Sequence, residues 1–553
     1  VGVVEGFDLM ASAFPYLTVL VVLPAAGAGV AALVPRRLLW MARAVGLAVS
    51  LATLGVASAA LAAFKVGRAG FQLTSRHVWI SAFGISWHLG IDGISLLLVM
   101  LTALLFPIAF VLAPESRDPK AYVAWMLLLE AACLGTFLAL DLILFFVFFE
   151  VSLVPVYFLI GGWGHENRAA AAVKFFIYTF LGSAFLLIGI LASAFLVEHH
   201  TGKLSFDLLS LDKDPRLFAG GVGIALWLAF TAAFAIKAPV FPFHTWSPDA
   251  YAEAPTSAVV VLAGVMAKMG AYGIVRFDFE LFPQATRTLS PVILTLATIG
   301  VVYGAIVSAR QSDLKRLLAY SSLSNLGFII LGFFALTEQG VTGGVLQMVN
   351  HGIYTAGLFL LVGMLYQRTS SRNASQLGGL QRYLPIAAGV FMLCMLASIG
   401  LPGLNGFVGE FLILIGTFLT HRWWAVVAAS GVVLASIYLL WAYQRVFHGK
   451  PRSDDQVVGI KDLSFREIAG LVPLMAIIVF IGVYPRPLLE RITPSVESLL
   501  VHVEQSTGYR QPQVATAGKV ALVRRGIMAL HGQVVEDRAV IQGGHPERPV
   551  RTR

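Results

Sequence analysis

Ala235-Ile236-Lys237-Ala238-Pro239-Val240-Phe241-Pro242-Phe243-His244-Thr245-Trp246 puts a lysine at the end of a long apolar run and two prolines directly behind it. A charge at the centre of a membrane helix costs roughly 2.5–3.5 kcal/mol on insertion scales. Proline removes a backbone donor and clashes with the preceding turn. At membrane depth such a break is tolerated only where protein or a water-filled cavity satisfies the freed groups. Gly400-Leu401-Pro402-Gly403-Leu404-Asn405-Gly406-Phe407-Val408-Gly409-Glu410 repeats the combination, an apolar run with a proline break and a charge beside it. Upstream, Phe145-Phe146-Val147-Phe148-Phe149-Glu150 carries a carboxylate inside a third apolar run. A chain that keeps several such charges is expected to use them, most simply to hold and pass ions or protons.

Composition supports that setting. The chain has 553 residues, 58% hydrophobic and 12% charged, with a mean hydropathy of +0.81. Soluble domains are nearer about 45–50% apolar and about 25% charged. A polytopic membrane protein with little soluble mass follows. The net charge of +9 fits basic loops on one face of a membrane; no basic stretch interleaved with aromatics points to nucleic acid. Cys133 and Cys394 both sit in apolar runs, and two thiols supply neither a disulfide framework nor an iron–sulfur ligand set. His199-His200 alone is a poor metal signature. No Walker-type loop and no Gly-rich dinucleotide turn occurs. No cofactor or metal is expected on this chain, so its energy comes from an ion gradient or a partner.

A span needs roughly 20 apolar residues. About fourteen candidates lie near residues 15–35, 40–64, 94–113, 121–140, 142–163, 169–196, 219–246, 256–277, 289–309, 316–335, 341–366, 383–416, 424–447 and 465–485. Glu5 and Asp8, with no basic residue beside them, argue for a retained first span over a signal peptide. An even number of spans puts both termini on one side. Arg36, Arg37, Arg43, Arg117, Lys120, Arg168, Lys174, Arg310, Lys315, Arg316, Arg368, Arg372, Arg382, Arg445, Lys450, Arg452, Lys461 and Arg466 gather in the loops of the other face. The positive-inside rule then puts both termini outside.

Residues 71–90 read as a short outer β-hairpin turning at Gly84. Val496, Leu499, Leu500 and Val503 recur at helical spacing and suggest an interfacial amphipathic helix, followed by a polar, basic tail. The two interrupted spans are the seventh and the twelfth. Interrupted helices at corresponding places are the best sequence pointer to an inverted repeat with a transport site between its halves. The expected fold is an all-α polytopic membrane protein with two inverted five-helix repeats. Its segments are 1–120 (three spans and the hairpin), 121–280 and 281–450 (the repeats), 451–486 (a loop and the last span) and 487–553 (the tail).

Lys237-Ala238-Pro239, His244-Thr245-Trp246-Ser247-Pro248-Asp249-Ala250-Tyr251 and Glu253-Ala254-Pro255-Thr256 together resemble the hallmark stretch of the antiporter-like membrane subunits of respiratory complex I, the NADH-quinone oxidoreductase. Leu89-Gly90-Ile91-Asp92-Gly93-Ile94-Ser95 and Leu401 to Glu410 carry the same resemblance, which extends from about residue 15 to 485. Glu410 is similar to the branch of the family that has glutamate in the broken twelfth helix where sister subunits have lysine. The resemblance implies a proton-translocating chain in a bacterial plasma membrane. FMN, iron–sulfur clusters and quinone would lie in partner subunits, with neighbouring antiporter-like subunits and lipid around it.

It also implies roles. Glu150 matches the acidic residue of the fifth helix, Lys237 the lysine of the seventh, Lys268 that of the eighth, His351 the histidine of the eleventh and Glu410 the twelfth-helix carboxylate. The implied relay has Glu150 modulating Lys237, Lys237 exchanging with Lys268, and His351 with water linking onward to Glu410. Where the family often has a tenth-helix histidine, this chain has Asn325, which hydrogen-bonds but does not titrate near neutrality.

Each residue also has a plainer reading. Glu150, Lys237, Lys268 and Glu410 could be structural ion pairs or snorkelling ends, and His351 a hydrogen-bonded core residue. Glu130 has no assigned role. His244, Asp249 and Glu253 line a possible uptake route or serve as caps. His77, His88, His199 and His200 read as loop residues. The alternatives to a complex I subunit are an Mrp-type sodium/proton antiporter subunit, a membrane subunit of a hydrogenase complex, or an inert scaffold.

Overall fold

Apolar runs of about twenty residues must satisfy their own backbone groups in lipid, so they fold as helices. A computed structural model describes residues 14–112, 118–213, 215–451 and 459–512. The expectations placed on Glu5, Asp8, Arg117, Arg452 and the tail from 513 lie outside those residues, as does the side chain of Arg36.

Thirteen helices are long and apolar enough to cross a membrane. They are Tyr16–Leu33, Leu39–Ala63, Gly93–Val111, Pro119–Leu138, Leu142–Trp163, Arg168–Thr201, Gly220–Lys237, Thr256–Leu281, Pro283–Ala309, Leu314–Phe334, Glu338–Thr369, Arg422–Phe447 and Phe465–Val483. The twelfth span is split into Pro385–Ile399 and Asn405–Thr420, which completes the fourteen spans read from the sequence. In the eighth and eleventh spans the whole apolar window is buried, against about a quarter to a third in the second, thirteenth and fourteenth. The chain therefore has a central layer, and the charges of interest lie on it.

The hairpin forms as expected, from β1 (Gln72–Ile80) and antiparallel β2 (Ile85–Ile91), turning at Gly84 with φ 66°. It is tied to the bundle. Leu140 N–H donates to the His88 carbonyl at 2.9 Å, and the Ser86 N–H to Asp141 at 2.9 Å. His88 is not a loop residue: it sits in β2, is buried, and its Nδ1 lies 2.6 Å from Asp207. His77 lies in β1, and His199 and His200 in the last turn of the sixth span. Both faces of β2 are covered, Ser86 and His88 as well as Leu89 and Ile91, so burial here follows from packing against the bundle.

Asp92 closes the hairpin and starts the third span. Its Oδ1 accepts from Ile94 and Ser95 N–H while Ser95 Oγ accepts from Asp92 N–H, a reciprocal cap. Its Oδ2 meets Arg276 of the eighth span at 2.7 Å.

The C-terminal amphipathic helix runs Arg486–Thr507. Its apolar face, Ile492, Val496, Leu499, Leu500 and Val503, is buried against protein, so the stripe expected to lie in lipid covers this end of the bundle instead. Ser495 Oγ accepts from Gly93 N–H at 3.0 Å, and a Cβ on Gly93 would collide with the Arg491 carbonyl.

Burial raises the Asp207 carboxyl, but the hydrogen bond and charge of His88, with Arg76, hold it below its ordinary value. A carboxylate held down in the fold adds stability above its unfolded pKa of about 3.9 and loses it as pH falls through the folded value. Hydrogen exchange of amides 85–91 should therefore be slow above about pH 4 and quicken below it. Asp207→Asn should abolish that pH response.

Candidate functional site

The seventh span ends at Lys237 because Pro239 and Pro242 cannot continue it. The freed groups find partners: Trp246 Nε1 donates to the Ile236 carbonyl at 2.9 Å, and Val240 N–H to the Ala235 carbonyl at 2.9 Å. Lys237 is 1% exposed. Its Nζ donates to Ser152 Oγ at 2.9 Å and to the Phe149 carbonyl at 3.2 Å, and lies 4.5 Å from the Phe149 ring centroid, a cation–π distance.

Those acceptors exist because the fifth span is interrupted too, into Leu142–Val151 and Leu153–Trp163. Pro155 lacks the N–H that would bond the Val151 carbonyl. The sequence reading had taken 142–163 as continuous. Among the described residues no ion pair joins Lys237 to Glu150; the lysine bonds on either side of it. Glu150 has Ser183 as its hydroxyl neighbour, and its Oε1 is buried without a hydrogen-bond partner. The structure brings Glu150 and Lys237 to one place without pairing them.

Toward the hairpin side, Lys237 meets a wall of rings. Phe145, Phe149, Phe230, Phe234 and Phe277 pack ring on ring, with centroids 4.5–6.4 Å apart. All five are at most 1% exposed. Two buried polar groups are interleaved with these rings: Thr231 Oγ1 donates to Asp278 Oδ2 at 2.7 Å.

Lys268 is paired directly. Its Nζ lies 2.6 Å from His351 Nδ1 and donates to the Ala263 carbonyl at 2.5 Å. Neither residue has any exposed surface. Two nitrogens at that separation need one hydrogen between them and repel if both are cations. The Ala263 carbonyl is available because Leu262–Met266 is π-helical, as is Ile274–Asp278; single π turns recur at functional sites. No residue pattern had signalled them. Gly264 and Gly352 let the eighth and eleventh spans meet: a Cβ on Gly352 would stand 2.8 Å from the Gly264 carbonyl. His351 Nε2 is buried without a partner.

Glu410 sits below the second break, where Gly400 has φ +80° and a Cβ would strike its carboxylate. Gln347 Nε2 donates to Glu410 Oε1 at 3.3 Å and to Tyr354 Oη at 3.1 Å. Tyr354 donates to Asn325 Oδ1 at 2.7 Å. Asn350 Nδ2 donates to the Asn405 carbonyl at 2.7 Å, stitching the eleventh span to the break. Asn325 thus belongs to a neutral hydrogen-bond net, and Gln347, Tyr354 and Asn350, unflagged in the sequence, connect it. Their signal was a polar residue at every third or fourth position of an apolar helix.

Glu130 is fully buried with neither carboxylate oxygen partnered. Asp249 binds Lys174 at 2.7 Å and Arg316 at 2.9 Å, and Glu253 accepts from Asn167 N–H at 3.0 Å, so both make structural bonds. His244 stacks against Phe241 and Tyr303. Among the described residues no cluster of His, Cys, Asp and Glu could hold a metal ion.

Residues 139–437 match the family described as NADH:quinone oxidoreductase/Mrp antiporter, TM. The chain is similar to NADH-quinone oxidoreductase subunit M of Mycobacterium tuberculosis (strain ATCC 25618 / H37Rv), 40% identical over 89% of this chain and 95% of that one. It is equally similar to the subunit M of Rhodobacter capsulatus, 40% identical over 89% and 98%. Among solved structures it resembles a chain of respiratory complex I from Thermus thermophilus with bound NADH, with TM-score 0.79 and 30% identity over 88% of this chain and 99% of that one. A chain of the Mrp complex from Dietzia sp. DQ12-45-1b shares the fold, with TM-score 0.77 and 24% identity over 89% and 99%.

Replacing Gly352 with valine should force the eighth and eleventh spans apart and lower thermal stability in detergent by about 1–3 kcal/mol, the usual cost of overpacking. Gly29→Val, with open space around it, should leave the melting temperature unchanged.

Proposed function

The chain belongs to the NADH:quinone oxidoreductase/Mrp antiporter family of membrane proteins, and we propose that it is the M-type subunit of a proton-pumping NADH-quinone oxidoreductase. In this reading it carries protons through a central row of buried residues while quinone reduction in other subunits supplies the energy. FMN, iron–sulfur clusters and quinone belong to those partners. Neighbouring antiporter-like subunits and lipid flank the chain in a bacterial plasma membrane, with both termini outside. Residues 121–280 and 281–450 are its two inverted repeats.

The observation that carries the reading is the Lys268–His351 contact. It lies between the lysine of one broken span and the carboxylate of the other, and it is a pair that shares a hydrogen. Glu150 tunes the charge on Lys237, Lys237 exchanges with Lys268 through ordered water, and Lys268 hands its proton to His351. From His351 the free Nε2 leads by water and the Gln347–Tyr354 amide–hydroxyl net to Glu410. Asn325 positions that net and carries no charge. The packed phenylalanine rings narrow the route from Lys237 toward the hairpin side, which favours movement of a proton along the membrane plane.

An Mrp-type antiporter subunit is the second reading. The shared fold supports it, but Glu410 matches the complex I branch.

In the assembled enzyme in liposomes, Glu150→Gln and Lys237→Ala should each lower NADH-driven proton translocation by about a hundredfold or more, the lower end of the range for loss of a proton-transfer group. Subunit content should stay normal. Normal pumping by a fully assembled variant would overturn the relay. Sodium exchange without quinone reduction would favour the Mrp reading.

A further inference from the structure

On the side opposite the hairpin, the loop after the fifth span, the cap of the tenth span and the end of the eleventh span with its following loop line an open cavity of about 470 Å³, with His165, Arg168, Asp313, Tyr366 and Arg372 in its wall. His165 is half-buried in its wall, with its ring edge-on to Tyr366 at 5.3 Å. Behind it lies Lys315, counted from sequence as a loop charge but wholly buried. Lys315 Nζ is 3.2 Å from His165 Nε2 and 2.8 Å from the Ala254 carbonyl.

This is the central device a second time. Lys268 has a histidine nitrogen and one backbone carbonyl; Lys315 has the same two. The charges around the outer pair come from several elements. Asp313 caps the tenth span and meets Arg372 at 3.4 Å, Arg372 donates to the Ala252 carbonyl at 2.6 Å, and Glu253 is held by Asn167. No carboxylate forms an ion pair with Lys315 among the described residues. Burial, with the charges of Lys315 and Arg372, pushes His165 down to about 4, so at neutral pH its ring is neutral, and once Lys315 has passed its proton inward that charge no longer opposes protonation of the ring.

Inward from Lys315, Ser322 lies two helical turns along the same face and Asn325 one turn further. Ser322 is buried and its hydroxyl has no partner, which marks a place for an ordered water. Asn325 already belongs to the Glu410 net. Ser322 and Asn325 are thus isolated polar groups on the helix between Lys315 and the Glu410 net.

We propose that His165 and Lys315 form the gate through which protons leave the water of this cavity for the buried row. The proposal rests on the relay reading above. A proton from cavity water binds one imidazole nitrogen, the proton on Nε2 passes to neutral Lys315, and the lysine delivers it to water at Ser322. Imidazole returns to neutral by the same exchange, so nothing but a proton is transferred. The flexible four-carbon stem of lysine permits the swing.

The test is chemical rescue in the assembled complex in liposomes. His165→Gly should lower NADH-driven proton translocation about a hundredfold, the lower end of the range for a lost proton-transfer group, with normal subunit content. Free imidazole should restore it by filling the vacated space, without effect on the wild type. His165→Gln, which keeps the bulk, should be slow and should resist rescue. Pumping at the wild-type rate by His165→Gly, or a loss that imidazole does not relieve in an assembled complex, would overturn the gate. Lys237→Ala run alongside separates the two claims: loss there with normal pumping in His165→Gly removes the gate alone, whereas normal pumping in Lys237→Ala removes the relay itself.

Discussion

A lysine nitrogen buried at membrane depth must be solvated by the protein, and much of this structure answers that need. Lys237, Lys268 and Lys315 have little or no exposed surface, and each lies against at least one backbone carbonyl. A regular helix has no carbonyls to spare, since each accepts from the N–H four residues on. The chain frees them by irregularity: the break at Ser152 in the fifth span, the π turn at Leu262–Met266 in the eighth, and the helix end at Ala254. Irregular backbone and buried charge are two sides of one constraint.

Those lysines carry hydrogen bonds to neutral partners, not salt bridges. A carboxylate 2.7 Å away would fix the charge, as it does for Arg276 and Asp92, which lock the hairpin junction to the eighth span. Hydroxyls, carbonyls and imidazoles leave a lysine free to hold or release its proton at modest cost. The arrangement thus sets ion-paired charges that fix the architecture apart from buried lysines held by neutral groups, which are the ones the proposed relay uses. The first group comprises Asp92–Arg276, His88–Asp207 and Arg368–Glu467; the second comprises Lys237, Lys268 and Lys315, which form no ion pair among the described residues.

Much of this was legible in the sequence. Apolar run length set the number of spans, Pro239 and Pro402 marked the two breaks, and the charges inside those runs are the buried residues on which the proposed relay rests. What stayed hidden was relational. A π turn leaves no mark in an apolar stretch. Lys315 follows Asp313 at the start of a span and read as a basic loop residue; only the packing of the 164–168 loop shows it enclosed. The pairing of Lys237 with Ser152 and Phe149 in place of Glu150 depends on side-chain direction, which spacing does not give. His88 was misread because β2 is covered on both faces, by contacts with the bundle at Leu140 and Asp207 that lie far away in sequence. The polar net of Gln347, Asn350 and Tyr354 was present as periodicity, yet neutral side chains drew less notice than charged ones.

The central claim is that the Lys268–His351 contact carries the proton between the two broken spans. The most direct measurement is the number of protons moved per electron passed to quinone in liposome-reconstituted complex bearing Lys268→Met, which keeps the side-chain bulk but cannot hold a proton. The account predicts a lowered ratio in an assembled enzyme. An unchanged ratio would contradict it.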